Sequence, residues 1–288
     1  MTEALILQPR AHDLGGGLLV RRVLPAAQQR SVGPFVFFDH FGPVDERPED
    51  RHDVRPHPHI GLATVTYLFE GAMMHRDSLG VVQRIEPGAI NWMTAGRGIV
   101  HSERKPDDLR ATSYRSHGLQ LWVALPREHE EDAPAFVHTS AADIPECRLP
   151  GLVLRVLIGS AFGQTSPVAT LVPTLYLDVR AEPGAVLNLP ASNEERAVYA
   201  VDGALQLGGQ TLAPQTMAVL PAEAVQISAS AAARFVIIGG APLDGPRYMW
   251  WNFVSSRKER IEQAKRDWAE ERMDRIPGET EFIPLPPS

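Results

Sequence analysis

The chain has 288 residues, 44% of them hydrophobic and 22% charged, an ordinary globular composition with room for two medium domains. A formal net charge of −7 and a pI near 5.8 disfavour direct nucleic-acid binding, which rests on neutralising phosphates with Lys and Arg. A single cysteine, Cys147, excludes an intrachain disulfide framework and fits a reducing, cytoplasmic location.

Taken in chain order, Met1-Thr2-Glu3-Ala4 lacks the basic stretch and apolar core of a signal peptide. No later run of about 18 apolar residues would cross a membrane. The 25 prolines and 23 glycines favour short strands and turns over long helices. Leu18-Leu19-Val20 and Phe35-Val36-Phe37-Phe38 read as strands, bounded by Gly15-Gly16-Gly17 and by Gly42-Pro43. Residues 46–58, charged and proline-containing, read as a surface loop. Strands follow at Ile60–Phe69, Val81–Ile85, Ala89–Met93, Ile99–Glu103 and Gly118–Leu125, each closed by a glycine or proline signal. The interval 126–150 is charged and then loop-like, and the domain boundary is placed there. Eight further short strands, from Leu152 to Ile238, indicate a second all-β sandwich or barrel.

Only the end reads as helical. Ser256-Arg257-Lys258-Glu259 has the form of a capping box. Ile261, Ala264 and Trp268 then share one helical face, and Pro277-Gly278 closes a helix expected over 256–275. A faint repeat links the halves: Pro87-Gly88-Ala89-Ile90 echoes Pro183-Gly184-Ala185-Val186, and Tyr67–Gly71 echoes Tyr199–Gly203.

The histidines carry the chemistry. All ten lie before residue 139, and the remainder of the chain has none. His57-Pro58-His59 and His101-Ser102-Glu103 each place two metal-ligand types at i and i+2. On a strand those positions share a face. If the two strands face one another, they build a site of three imidazoles and one carboxylate. That set suits a first-row divalent cation and leaves coordination positions open. One His-x-His alone is more often a surface or core pair; the second, complementary pair is what strengthens the reading.

The sequence around these pairs resembles the pirin family of the cupin superfamily. His57-x-His59 followed by Gly71 matches the two histidines and the glycine of a first cupin motif, with Thr64 standing where a ligand glutamate is usual. Gly98-x2-His101 matches the second motif, and Glu103 supplies the displaced carboxylate. Phe38–Pro43, His57–Leu62, Thr64–Tyr67, His75–Ser78, Asn91–Glu103, Leu119–Val123 and Trp251–Ser256 are all similar to pirin segments. The resemblance covers nearly the whole chain and is most specific between residues 36 and 125.

That resemblance implies a bicupin: two antiparallel β-barrel (jelly-roll) domains, 1–139 with metal and 140–288 without, the latter carrying the short C-terminal helix. It implies metal ligands His57, His59, His101 and Glu103 for one divalent ion, Fe(II) first, with Ni, Mn, Cu or Zn able to occupy the same donors. Two functions are implied by it. One is a dioxygenase that opens flavonols such as quercetin, with Glu103 also accepting the substrate hydroxyl proton. The other is an iron-dependent redox-sensing regulator that binds a transcription factor or a metabolic enzyme. His40, His75 and His117 are expected in the core or behind the ligands, and His12, His52, His129 and His138 in solvent. Arg97 either draws an anion or braces a turn, the second being favoured; Trp92 and Phe38 either line a pocket or fill the core.

Overall fold

The computed structural model describes residues 3–15 and 17–286. Its regular structure is mostly β-strand, and among the described residues the one α-helix spans Lys258–Ala269. Two compact units each contain a seven-stranded and a four-stranded antiparallel sheet. This is the all-β, two-barrel class expected. The echoed Pro-Gly turns hold equivalent places: Gly88 and Gly184, at φ +86 and +81, lead into the strands Ile90–Thr94 and Val186–Leu189.

The units are not the continuous segments 1–139 and 140–288. One comprises residues 1–10, 21–38 and 142–242; the other comprises 11–20, 39–141 and 243–288. Two local causes account for the difference. Leu5–Leu7 pairs antiparallel with Met217–Leu220, which takes the N-terminus into the histidine-free unit. The C-terminal helix and the residues after it pack instead on the histidine-bearing unit, where Ile261, Ala264, Trp268 and Ile276 join Ile60, Val100 and Phe253 in one apolar cluster.

The histidine-free unit buries Leu154, Val156, Leu177, Val198, Phe235 and Ile237 between its sheets. In the strand Thr174–Ala181 the alternation Tyr176, Asp178, Arg180 against Leu177, Val179, Ala181 sends the second set into this core.

The histidine-bearing unit sets the long sheet, which contains Leu62–Glu70, Ile90–Thr94 and Tyr114–Ala124, against the sheet Val54–His59, Ile99–Arg104, Met73–Asp77 and Val82–Ile85. The expected loop over 46–58 is therefore shorter: its last residues are already strand from Val54. The Phe35 strand also runs further than expected, through Gly42-Pro43 to Glu46. Gly42 bends the strand at φ +72 without ending it, where any Cβ would stand 2.2 Å from the Ser116 carbonyl oxygen.

The helix is shorter than 256–275 and lacks the expected capping box. Its N-cap is Arg257, with no side-chain cap bond. Ser256 Oγ donates to Glu130 Oε2 at 3.1 Å, and Ser256 N to Glu130 Oε1 at 2.8 Å. A buried carboxylate has thus claimed the serine. Among the described residues no helix is long and apolar enough to cross a membrane.

Candidate metal centre

The strands Val54–His59 and Ile99–Arg104 are antiparallel neighbours in one sheet, in the register His101 to His57 and Ile99 to His59. Directly paired residues and those at i+2 share a face. His57, His59 and His101 therefore emerge together, with ring centroids 4.4 to 5.0 Å apart. One ring nitrogen from each lies within 4.8 Å of the other two. All three are buried, at 6%, 1% and 1% exposure.

Each ring's Nδ1 is engaged behind it. His57 Nδ1 donates to the Arg55 carbonyl at 2.8 Å, and His59 Nδ1 to the Asn252 carbonyl at 3.1 Å. His101 Nδ1 faces His75 Nδ1 at 3.4 Å, and His75 Nε2 bonds Asp77 Oδ2 at 2.9 Å. Asp77 Oδ1 in turn accepts from the backbone of Leu79 and Val81. The one proton assignment that satisfies this chain of contacts puts a hydrogen on Nδ1 of His101 and on Nε2 of His75.

All three Nε2 lone pairs then point into the cluster. His59 Nε2 and His101 Nε2 are 3.1 Å apart with no proton to share. Two acceptors at that distance repel unless a cation lies between them. Two imidazole nitrogens bound to one ion at about 2.1 Å and at a right angle would stand roughly 3 Å apart, so the donor set fits a metal. Burial holds the His57 ring down at about 4, and burial with the neighbouring His57 holds His59 and His101 well below the ordinary imidazole value. Neutral rings are what a cation requires.

Asn252 belongs to a segment that sequence pattern does not tie to the site. Gly61, at φ +67, lets the segment pass so close that a Cβ would meet the Val254 carbonyl oxygen at 2.0 Å. Val254 N bonds the Ile60 carbonyl at 3.2 Å, which sets the Asn252 carbonyl against His59.

Glu103 stands outside the set of mutually close ligand atoms. The register between its strand and the His57 strand slips after His101, so that Glu103 pairs with Val54. The extra residue lies on the His57 strand; against Met73–Asp77 the strand of Glu103 pairs without a slip, so Glu103 keeps the face of His101. From that face its carboxylate meets the long sheet, where Thr66 Oγ1 donates to Oε1 at 3.4 Å and the Gln120 side chain also bonds it. Burial pushes the Glu103 carboxyl up to about 7, against the pull of those two hydrogen bonds. Thr66 and Gln120 are cross-strand partners, as are Thr64 and Trp122. The Trp122 ring meets His59 edge-on at 5.2 Å. Gln120 Oε1 is buried with no hydrogen-bond partner. The sequence signal for these residues is polar alternation, Thr64-x-Thr66, in a strand buried on both faces.

His75 lies directly behind His101, as expected. His40 and His117 are in the core, as also expected, where they bond each other at 2.7 Å beside Phe69. His52 and His138, expected in solvent, are held: His52 bonds Glu46 and His138 bonds Asn91. Phe38 packs against Tyr199 at a tilt in the histidine-free unit, ring centroids 4.7 Å apart, and Trp92 is buried with its Nε1 on Thr94. The Arg97 main chain braces its turn, its N–H on the Asp132 carbonyl and its own carbonyl accepting from Arg260. Glu46, Asp50 and His52 also converge, but Lys105 Nζ, 3.7 Å from Glu46, already supplies the cation there.

The family profile for pirins matches residues 17–123, and that for the pirin C-terminal cupin domain matches residues 176–274. A pirin-like protein of Caulobacter vibrioides is 47% identical over 98% of this chain and 99% of its own length. The chain belongs to the pirin family. Pirin of Homo sapiens is 35% identical over 90% of this chain and 89% of its own. The crystal structure of a quercetin 2,3-dioxygenase from Acinetobacter baumannii superposes with a TM-score of 0.92 at 35% identity, covering 99% of this chain and 96% of that one. The two β units are thus the two cupins of a pirin, and the histidine cluster of the N-terminal one fits a cupin metal site.

Proposed function

We propose that this pirin is a metal-dependent dioxygenase that opens flavonols such as quercetin. Both atoms of dioxygen enter the ring-opened product, and one ring carbon leaves as carbon monoxide. The observation that carries the reading is the pairing of a neutral histidine triad with a separately held carboxylate that titrates near neutrality. The likeness to the Acinetobacter quercetin 2,3-dioxygenase supports it.

His57, His59 and His101 would hold the ion, with Glu103 as the fourth ligand. Iron(II) suits this donor set, and nickel, manganese, copper or zinc would accept it too. When bound, the ion would supply Lewis acidity toward the flavonol hydroxyl. Glu103 takes the hydroxyl proton; Thr66 and Gln120 hold its carboxylate toward the long sheet for that role. Trp122, edge-on to His59, offers an aromatic wall for a planar substrate. The lone cysteine fits a cytoplasmic location.

A regulatory reading has its own observation. The outer face of the His101 strand is bonded, through Arg104, to Glu281, which is half exposed. A change at the metal could reach a protein partner by that route. Anaerobic reconstitution with each metal, then oxygen uptake and carbon monoxide release with quercetin, tests the enzyme. One carbon monoxide released per dioxygen consumed is expected. A fully loaded protein that consumes no oxygen with any flavonol tested would leave the iron-dependent regulator as the function.

A further inference from the structure

The strand Ile99–Arg104 has two faces. His101 and Glu103 look into the site; Val100, Ser102 and Arg104 look the other way. The outward face is covered by the chain after the helix. Val100 packs with Trp268 and Ile276. Ser102 Oγ donates to Glu279 Oε1 at 2.7 Å. Arg104 Nε bonds both Glu279 oxygens, at 3.2 and 3.1 Å, and Arg104 Nη2 bonds Oε2 as well. The same arm reaches the neighbouring strand, where Ile283 N bonds the Pro56 carbonyl at 2.8 Å, one residue from His57.

Ser102 stands opposite the register slip: it alone lies between His101 and Glu103, where Arg55 and Pro56 both lie between His57 and Val54, so the extra residue is on the His57 strand. Ser102 has no partner on the His57 strand, although His101 and Glu103 on either side of it do. On its other edge it pairs with Arg76. A residue opposite a bulge is released from that ladder, and a further contact is what fixes the strand there. Glu279 supplies that contact, a charged acceptor for Ser102 and Arg104, the two residues that flank Glu103. Ser102 is fully buried and the Glu279 side chain is 9% exposed, so solvent does little to weaken the contacts.

We infer that Glu279 is a positioning residue, which, through Ser102 and Arg104, sets where Glu103 stands relative to the histidine triad. It touches neither metal nor substrate. The inference rests on the reading of the triad as a metal site.

The test uses the full chain loaded with Co(II), whose visible absorption reports coordination number and symmetry. Wild type, Glu279→Gln, Glu279→Ala, Ser102→Ala and Phe282→Ala are compared for that spectrum and for the rate of cobalt removal by EDTA. Phe282→Ala loosens the same arm where it meets Trp268, 5.6 Å ring to ring, without touching Ser102 or Arg104. Glu279→Gln is nearly isosteric and keeps the chain folded if Glu279→Ala does not. The expected result is an altered spectrum and roughly 10-fold faster removal in the Glu279 variants, a lesser change in the same sense in Ser102→Ala, and none in Phe282→Ala. Wild-type spectrum and release in both Glu279 variants would overturn the inference, whatever their thermal stability. Equal changes in Phe282→Ala would also overturn it, by showing the arm to be only a cover. Failure of wild type to bind cobalt would instead refute the metal reading.

Discussion

His59 Nε2 lies 3.1 Å from His101 Nε2, and each ring has its Nδ1 engaged behind it. The two lone pairs face each other across a buried gap. That is an unfavourable contact in the protein alone and a favourable one around a cation. Removal of one ring should therefore abolish tight binding and also relieve the repulsion. His101→Ala is expected to bind no stoichiometric metal, where wild type binds close to one per chain by elemental analysis. The variant should still unfold cooperatively, because each unit has its own core. Metal in wild type at 100 times its Kd should add about 2.7 kcal/mol of stability, and none in the variant. A His101→Ala protein without a cooperative transition would show the residue to be structural.

The relay behind His101 should matter to affinity. Asp77 accepts from His75, and His75 faces His101. Asp77→Asn keeps an oxygen for the backbone of Leu79 and Val81 but removes the charge that orients His75. Metal Kd should rise on the order of 10-fold, measured by competition with a chromophoric chelator. An unchanged Kd would separate His75 and Asp77 from the metal centre.

Glu103→Gln should separate binding from chemistry. The three histidines remain and the amide oxygen can still coordinate, so metal occupancy should fall little. The amide cannot accept the substrate proton. Oxygen uptake with quercetin per bound metal should drop about 100-fold or more. Near wild-type turnover per metal would confine Glu103 to ligation.

The helix should be worth several kcal/mol to the histidine-bearing unit. Trp268 is 8% exposed, and its Nε1 donates to the Ile283 carbonyl at 3.0 Å. Trp268→Ala should cost about 3 to 5 kcal/mol in urea unfolding. A loss below about half a kcal/mol would mean that the helix does not dock in solution.

The Glu279 contacts carry a pH signature. Burial opposes ionisation of Glu279, but hydrogen bonds from Arg104 and Ser102 outweigh it, and the carboxyl titrates below its ordinary value of 4.5. A folded-state value below the unfolded one means stability that is present above pH 4.5 and lost as pH falls through the folded value. The melting temperature of wild type should exceed that of Glu279→Gln at pH 6, and the gap should close on acidification below pH 4.5. A gap independent of pH would mean that the ionised carboxylate is not what stabilises the arm.

The sequence by itself determined the β class, the two-domain composition and the shared faces of His57 with His59 and of His101 with Glu103. These rest on a local rule, since side chains two apart on a strand share a face, and no distant residue can alter that alternation. The family segments around the histidines were legible for the same reason, being contiguous in the chain. Tertiary structure decided the rest. Ser256 has the spacing of a capping residue, yet bonds Glu130, because a buried carboxylate competes better for a hydroxyl than a helix end does. Glu103 keeps the face of His101, but the groups that hold its carboxylate there, Thr66 and Gln120, come from two other strands. The N-terminal strand and the C-terminal helix each joined the unit that could pair or bury them, against their order in the chain. Register slips, shared carboxylates and docking partners depend on residues far apart in the chain, and period-2 or period-3.6 patterning carries no record of them.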